Sequence, residues 1–160
     1  MPFFNSTFII NLIASFFASI GFAMMFNTNK RHLIHIGIAG FGTYAIYYTF
    51  LYFFPSLFWA AFLSTVFTAL FSEIIARIRR APTIIFILTG IVPTVPGGML
   101  YRTMRNLILD EYDLALSTLV QTLEVGLGIA GGIVFVSVAF NVVMDRIKES
   151  NKRKKSKNNV

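Results

Sequence analysis

Apolar residues run along this chain in long blocks, and short polar connectors cut the blocks apart. Crossing a hydrocarbon core of roughly 30 Å takes about 20 apolar residues in helix. Five stretches are long enough: 7–26, 33–54, 55–76, 82–109 with an interruption, and 114–144. The connectors NTNKRH, the turn at Pro55, RIRRAP and DEYD are too short to hold a soluble domain. The pattern predicts an all-α, polytopic membrane protein with five transmembrane helices over residues 1–145. A basic tail, 146–160, follows; it has too few apolar residues to fold and is expected to be disordered. No basic region precedes the first block, which also exceeds the roughly 7–15 apolar residues of a secretory signal. It is read as a retained spanning helix.

Within the blocks, small and polar residues recur at helical spacing. Thr7, Asn11, Ser15, Ser19 and Ala23 are four apart in the first. The third carries Ala60, Ser64, Thr68 and Ser72, with Ala61, Thr65, Ala69 and Glu73 beside them. In the fifth, Ser117, Gln121, Glu124, Gly128, Gly131 and Gly132 form one face. Residues three and four apart share a helix face, and in lipid small and polar residues mark faces that meet other helices. These rows predict helix–helix packing, including an interface with a partner chain, or the wall of a shared cavity.

The fourth block is different in kind. It contains GIVPTVPGGMLYRTMR, in which Pro93 and Pro96 have no N–H to donate to Thr89 and Val92. Gly97 and Gly98 then allow conformations closed to other residues. Two prolines three apart followed by Gly-Gly predict a broken helix rather than a kink. Eleven residues separate Pro82 from Pro93, about 17 Å of helix, which places the break near the midplane. Irregular backbone at that depth must be buried in protein or line a watery cavity. A half-helix starting near Gly98 would present free N–H groups and the positive end of its dipole, the ingredients of a carboxylate site. Pro93, Thr94, Pro96, Gly97, Gly98, Arg102 and Arg105 are therefore the candidate substrate-binding residues.

Composition fits lipid as the solvent. Hydrophobic residues make up 56% of the chain and charged residues 13%, about half the share usual in a soluble domain. The net charge of +7 reflects topology rather than nucleic acid, because no aromatic or folded platform accompanies the lysines. Twelve of the fourteen basic residues fall on one side of a five-span layout, leaving only Arg102 and Arg105 on the other. By the positive-inside rule the N-terminus is outside and the C-terminus cytoplasmic. The tail is a topology anchor that can also meet anionic headgroups of the bilayer.

Two carboxylates are candidates for proton or ion coupling. Glu73 has Arg77 four residues on, the favourable order for a helical ion pair. Glu124 has no basic residue within a turn. Counted from Tyr112 it lies about 18 Å in, near the bilayer centre, where it acts as a proton carrier or pairs with Arg102 or Arg105. His32 and His35 lack the companions of a metal site and are read as interface residues. No metal or cofactor is expected.

SEIIARIRRAPTIIFILTGIVPTVPGGMLYR resembles the small, YjjB-like membrane subunit of the threonine/serine exporter family. SFFASIGFAMMFNTNKRHL upstream and GLGIAGG downstream are similar too, so the resemblance reaches to about Gly132. Pro93, Pro96, Gly97, Glu73 and Arg77 match family positions, whereas Thr94 replaces an expected larger apolar residue. The resemblance implies a five-helix half-transporter in the cell membrane, paired with a separately encoded YjjP-like membrane subunit. It also implies export of small amino acids such as threonine and serine, or a related dicarboxylate, driven by the proton gradient. The rival reading is an assembly subunit whose partner alone carries the solute. An intramembrane enzyme is disfavoured by the lack of cysteine, of a nucleophile–base pair and of clustered metal ligands. A channel would need several copies to surround a pore.

Overall fold

The computed structural model describes residues 6–157, with side chains described through Val143 and again at Arg146. Among these residues there is no strand. Six helices follow in order: α1 (Ser6–Met25), α2 (Leu33–Phe53), α3 (Leu57–Arg79), α4 (Thr83–Gly90), α5 (Gly97–Ile108) and α6 (Tyr112–Lys157). Three of them, α1, α3 and the Tyr112–Val143 part of α6, are long and apolar enough to cross a membrane. The bent pair α4–α5 makes a fourth if it counts as one span. The expected count of five is thus not reached by length and composition: α2 has 21 residues, but His35, three glycines and four tyrosines dilute its apolar character.

Three helices end alike. Asn27, Arg80 and Asp110 have φ of 52°, 50° and 58°. Each left-handed residue turns the next amide back five residues: Thr28 to Ala23, Ala81 to Ala76 and Glu111 to Asn106, at 3.0, 2.9 and 2.9 Å. These bonds satisfy carbonyls that a helix end leaves open. The resulting tight turns set α1–α2, α3–α4 and α5–α6 as hairpins.

Helix α3 is the centre of the bundle, packed on α2, α4 and most extensively on α6. Its predicted rows are buried except at Glu73, which is partly exposed: Ala60, Ser64, Thr68 and Ser72 are 0% exposed, and Ala61, Thr65 and Ala69 are at most 1%. They face other helices of the same chain, so they do not form the expected interface with a partner. On α1 the row holds at Ser15, Ser19 and Ala23, which are buried, but not at Thr7 and Asn11, which are exposed. Gly40 of α2 lies so close to Ser19 that a Cβ there would overlap its hydroxyl.

Thr43 of α2 and Thr68 of α3 join the two helices by a hydroxyl–hydroxyl hydrogen bond. Both are fully buried. Thr68→Val keeps the shape and removes this bond, and is expected to destabilise the fold by about 1 kcal/mol. Reversible unfolding in detergent measures it, and an unchanged midpoint would show that the bond contributes nothing.

One end of the bundle is basic. Arg79 Nη2 lies 2.9 Å from His35 Nε2, and the Arg77 guanidinium sits 3.7 Å over the Phe140 ring. These contacts bring the basic stretches flanking α1–α2 and α3–α4 together with the second half of α6. Asp110, Glu111 and Asp113 lie at the α5–α6 turn. The tail from Arg146, expected to be disordered, instead continues α6 as helix to Lys157. No proline or glycine follows Gly132, and basic residues in closing turns complement the negative end of the helix dipole. Residues 1–5 and 158–160 of the predicted domain and tail lie outside the described residues.

Candidate functional site

The break between α4 and α5 is built as the prolines dictate. The amide of Ile91 still reaches Ile87 at 3.1 Å. Pro93 then has no N–H for Thr89, and the Thr94 amide turns to Ile91 at 2.9 Å instead of Gly90. The carbonyls of Thr89 and Gly90 therefore lose their helical donors. A single 3-10 turn, Val92–Thr94, follows, and Thr94 Oγ1 donates to Ile91 O at 2.8 Å. Val95 is extended, and α5 begins at Gly97 without a capping side chain. Its first regular bond runs from Leu100 N to Pro96 O at 3.0 Å. The N–H groups of Gly98 and Met99, in the first turn of α5, thus meet neither a helical carbonyl nor a side-chain cap.

The two halves meet at a bend of 53°. Gly90, where α4 ends, abuts Thr68, halfway along α3. The break accordingly begins level with the middle of α3. Neither Gly97 nor Gly98 uses the conformational freedom expected of it, because no described glycine has positive φ. A Cβ added at either meets nothing within 4 Å. Both residues leave open space over the first turn of α5.

A cavity of about 250 Å³ occupies this region. Its walls are Tyr47 of α2, the break from Pro93 to Pro96, Gly98, Met99 and Arg102 of α5, and Val125 of α6. It is smaller than the roughly 300–1,000 Å³ pockets that hold drug-sized molecules, which suits a small solute. The chemistry on offer suits an anionic group: the amides and dipole of α5 together with the Arg102 guanidinium. Half-helix N-termini serve anionic groups in this way in transporters with discontinuous helices.

Of the expected binding residues, Pro93, Thr94, Pro96, Gly98 and Arg102 line the cavity. Gly97 lies next to it, and Arg105, exposed one turn on, does not line it. Neither expected coupling carboxylate lines it. Glu73 pairs with Arg77 at 3.4 Å. Glu124 is exposed and forms no ion pair with Arg102 or Arg105 among the described residues. Nor does it stand level with the middle of α3. Gly128 packs on Phe58 and Ala61 at the start of α3, so Glu124, one turn further out, lies level with that end. Counting from Tyr112 overstates its depth because the apolar part of α6 runs for 32 residues, about 48 Å. Tyr47 was not anticipated; it sits in the aromatic run YAIYYTFLYF, which reads as an interfacial belt.

A helical bundle of membrane-crossing segments, one of them broken around a small polar-ended cavity, defines a multi-pass membrane protein of the solute-transporter type. Residues 11–139 match the threonine/serine exporter family, ThrE, and the chain belongs to that family. No curated protein and no solved structure matches it.

Proposed function

We propose that this chain is one subunit of a secondary exporter and that it contributes the solute site at the α4–α5 break. The solute is a small amino acid of the threonine/serine type, or a related dicarboxylate. The observation that carries this reading is the open cavity at an uncapped helix start, with Arg102 in its wall. The carboxylate of the solute meets the Gly98 and Met99 amides and Arg102, where a helix N-terminus favours negative charge. A YjjP-like second membrane subunit completes the path, and the proton gradient drives efflux. Helix α2 is the fifth span, between α1 and α3, with the N-terminus outside and the basic end of the bundle at the cytoplasmic face of the cell membrane.

Arg102→Gln leaves a shorter, still polar side chain and removes the charge. With the second subunit present, it is expected to lower threonine efflux by about tenfold or more, the effect of ~1.4 kcal/mol, at unchanged protein level in the membrane. A protonophore is expected to stop wild-type efflux. Normal efflux by a well-expressed Arg102→Gln protein would remove Arg102 from the site and favour the assembly-subunit reading.

A further inference from the structure

Three side chains in the wall of the cavity at the α4–α5 break are polar: Tyr47, Thr94 and Arg102. Arg102 alone among them is charged, and no acidic side chain lines the cavity. With the solute carboxylate held at the start of α5 by Arg102 and the free amides, two hydroxyls remain for the rest of the molecule. One belongs to α2 and the other to the 3-10 turn of the break, which packs against α2.

The two hydroxyls are not equivalent. Thr94 is 4% exposed, and its proton is committed to the Ile91 carbonyl at 2.8 Å. A hydroxyl oxygen keeps lone pairs when its proton is engaged, so Thr94 is an acceptor for a solute. Tyr47 is the opposite case. Its neighbours Tyr44 and Tyr48 turn to Phe8 of α1, with ring centroids 6.4 and 4.7 Å away. Tyr47 takes no part in this stack and has no hydrogen bond among the described residues. Its hydroxyl is not sealed inside the fold, unlike the unpartnered hydroxyls of Ser19 and Ser72. The Tyr47 proton is therefore available to a solute in the space that the ring lines.

A donor and an acceptor in one wall match a hydroxyl group, which itself both accepts and donates. A methyl group of the same size would leave both unpaired, and a site that bonds a substrate hydroxyl discriminates strongly against the analogue without it. A second carboxylate, which only accepts, would meet the Thr94 oxygen lone pair to lone pair. We propose that Tyr47 and Thr94 are specificity-determining residues that read a hydroxyl on the side chain of the solute. A hydroxy amino acid is thereby selected over its apolar isostere and over a dicarboxylate. This rests on the reading that the solute binds at the break, and it narrows that reading to one of its two solute classes.

Threonine and valine differ by the exchange of one hydroxyl for a methyl, so they isolate this step. With the second subunit present, efflux of threonine, valine and succinate above that of cells lacking this chain is measured per unit of membrane protein. The wild-type chain is expected to export threonine about tenfold or more faster than either of the others. Tyr47→Phe removes only the hydroxyl, and Thr94→Val exchanges it for a methyl. Each is expected to lower the ratio of threonine to valine efflux by about tenfold. A merely structural role would lower both solutes together. An unchanged ratio in Tyr47→Phe would overturn the proposal, as would wild-type efflux that favours valine or succinate. Arg102→Gln, measured alongside, keeps the two readings apart. Loss of both amino acids in Arg102→Gln with an unchanged ratio in Tyr47→Phe would overturn hydroxyl recognition alone. Normal efflux in both variants would overturn the site at the break as well.

Discussion

Gly98→Leu is expected to lower solute efflux by about tenfold or more, ~1.4 kcal/mol, while the protein reaches the membrane in normal amount. The reasoning turns on what the fold does not need. Gly98 has helical backbone with no positive φ, and a Cβ there meets no atom within 4 Å. Glycine in a helix is less favourable than alanine by roughly 0.5–1 kcal/mol, so a Cβ at this position brings the fold neither strain nor clash. Yet Gly98 forms part of the wall of a 250 Å³ cavity, and its amide is one of the two uncapped donors at the start of α5. A leucine side chain would occupy space beside that donor and keep a carboxylate away from it. Efflux measured per unit of membrane protein, with thermal stability measured in parallel, separates the two effects. Normal efflux by Gly98→Leu would show that no solute approaches this turn, and with it the site proposed at the break would fall.

The sequence disclosed some of this architecture and concealed the rest for identifiable reasons. The α3 rows were legible because a central helix is surrounded by neighbours, so its small and polar residues can face nothing but other helices. The break was legible because proline removes a specific hydrogen bond whatever surrounds it, and the 3-10 turn at Val92–Thr94 is the local consequence. The face read on α6 proved to be two faces. Gly128 and Gly132 pack on α3, whereas Ser117, Gln121 and Glu124 are exposed. In its first half α6 turns a different side, at Ala115, Thr122 and Val125, into the fold, and Thr118 there accepts a 3.0 Å hydrogen bond from Thr103 of α5. Periodicity identifies residues that share a side of a helix but not which neighbour each level of that side meets. Tyr47 escaped notice for a related reason: its role depends on α2 lying beside the break, a tertiary fact with no local signature.

The pairing of α3 with α6 makes the second large effect specific to a single position. Gly128→Leu is expected to abolish a stable folded protein in detergent, whereas Gly126→Leu, two residues away, should be close to neutral. At Gly128 a Cβ would lie 2.6 Å from the carbonyl oxygen of Phe58, 3.0 Å from Ala61 Cβ and 3.2 Å from the amide nitrogen of Phe62. Two of these are backbone atoms, which cannot rotate aside, so relief requires the helices to separate. Separation along this seam also unseats Gly132, where the Phe62 carbonyl oxygen is 2.9 Å from the position of a Cβ. It further opens the cluster of Ala69, Ile87 and Val136 at the next turns. Overpacking at one core site costs about 1–3 kcal/mol, and spreading it over two glycines and a core cluster places the loss at or above the upper end. Gly126 is exposed, with nothing within 4 Å of an added Cβ, so leucine there adds only apolar surface to an apolar face. Size-exclusion profiles and unfolding midpoints of the two variants provide the comparison. Similar behaviour of the pair, whether both stable or both lost, would mean that α3 and α6 do not cross at Gly128.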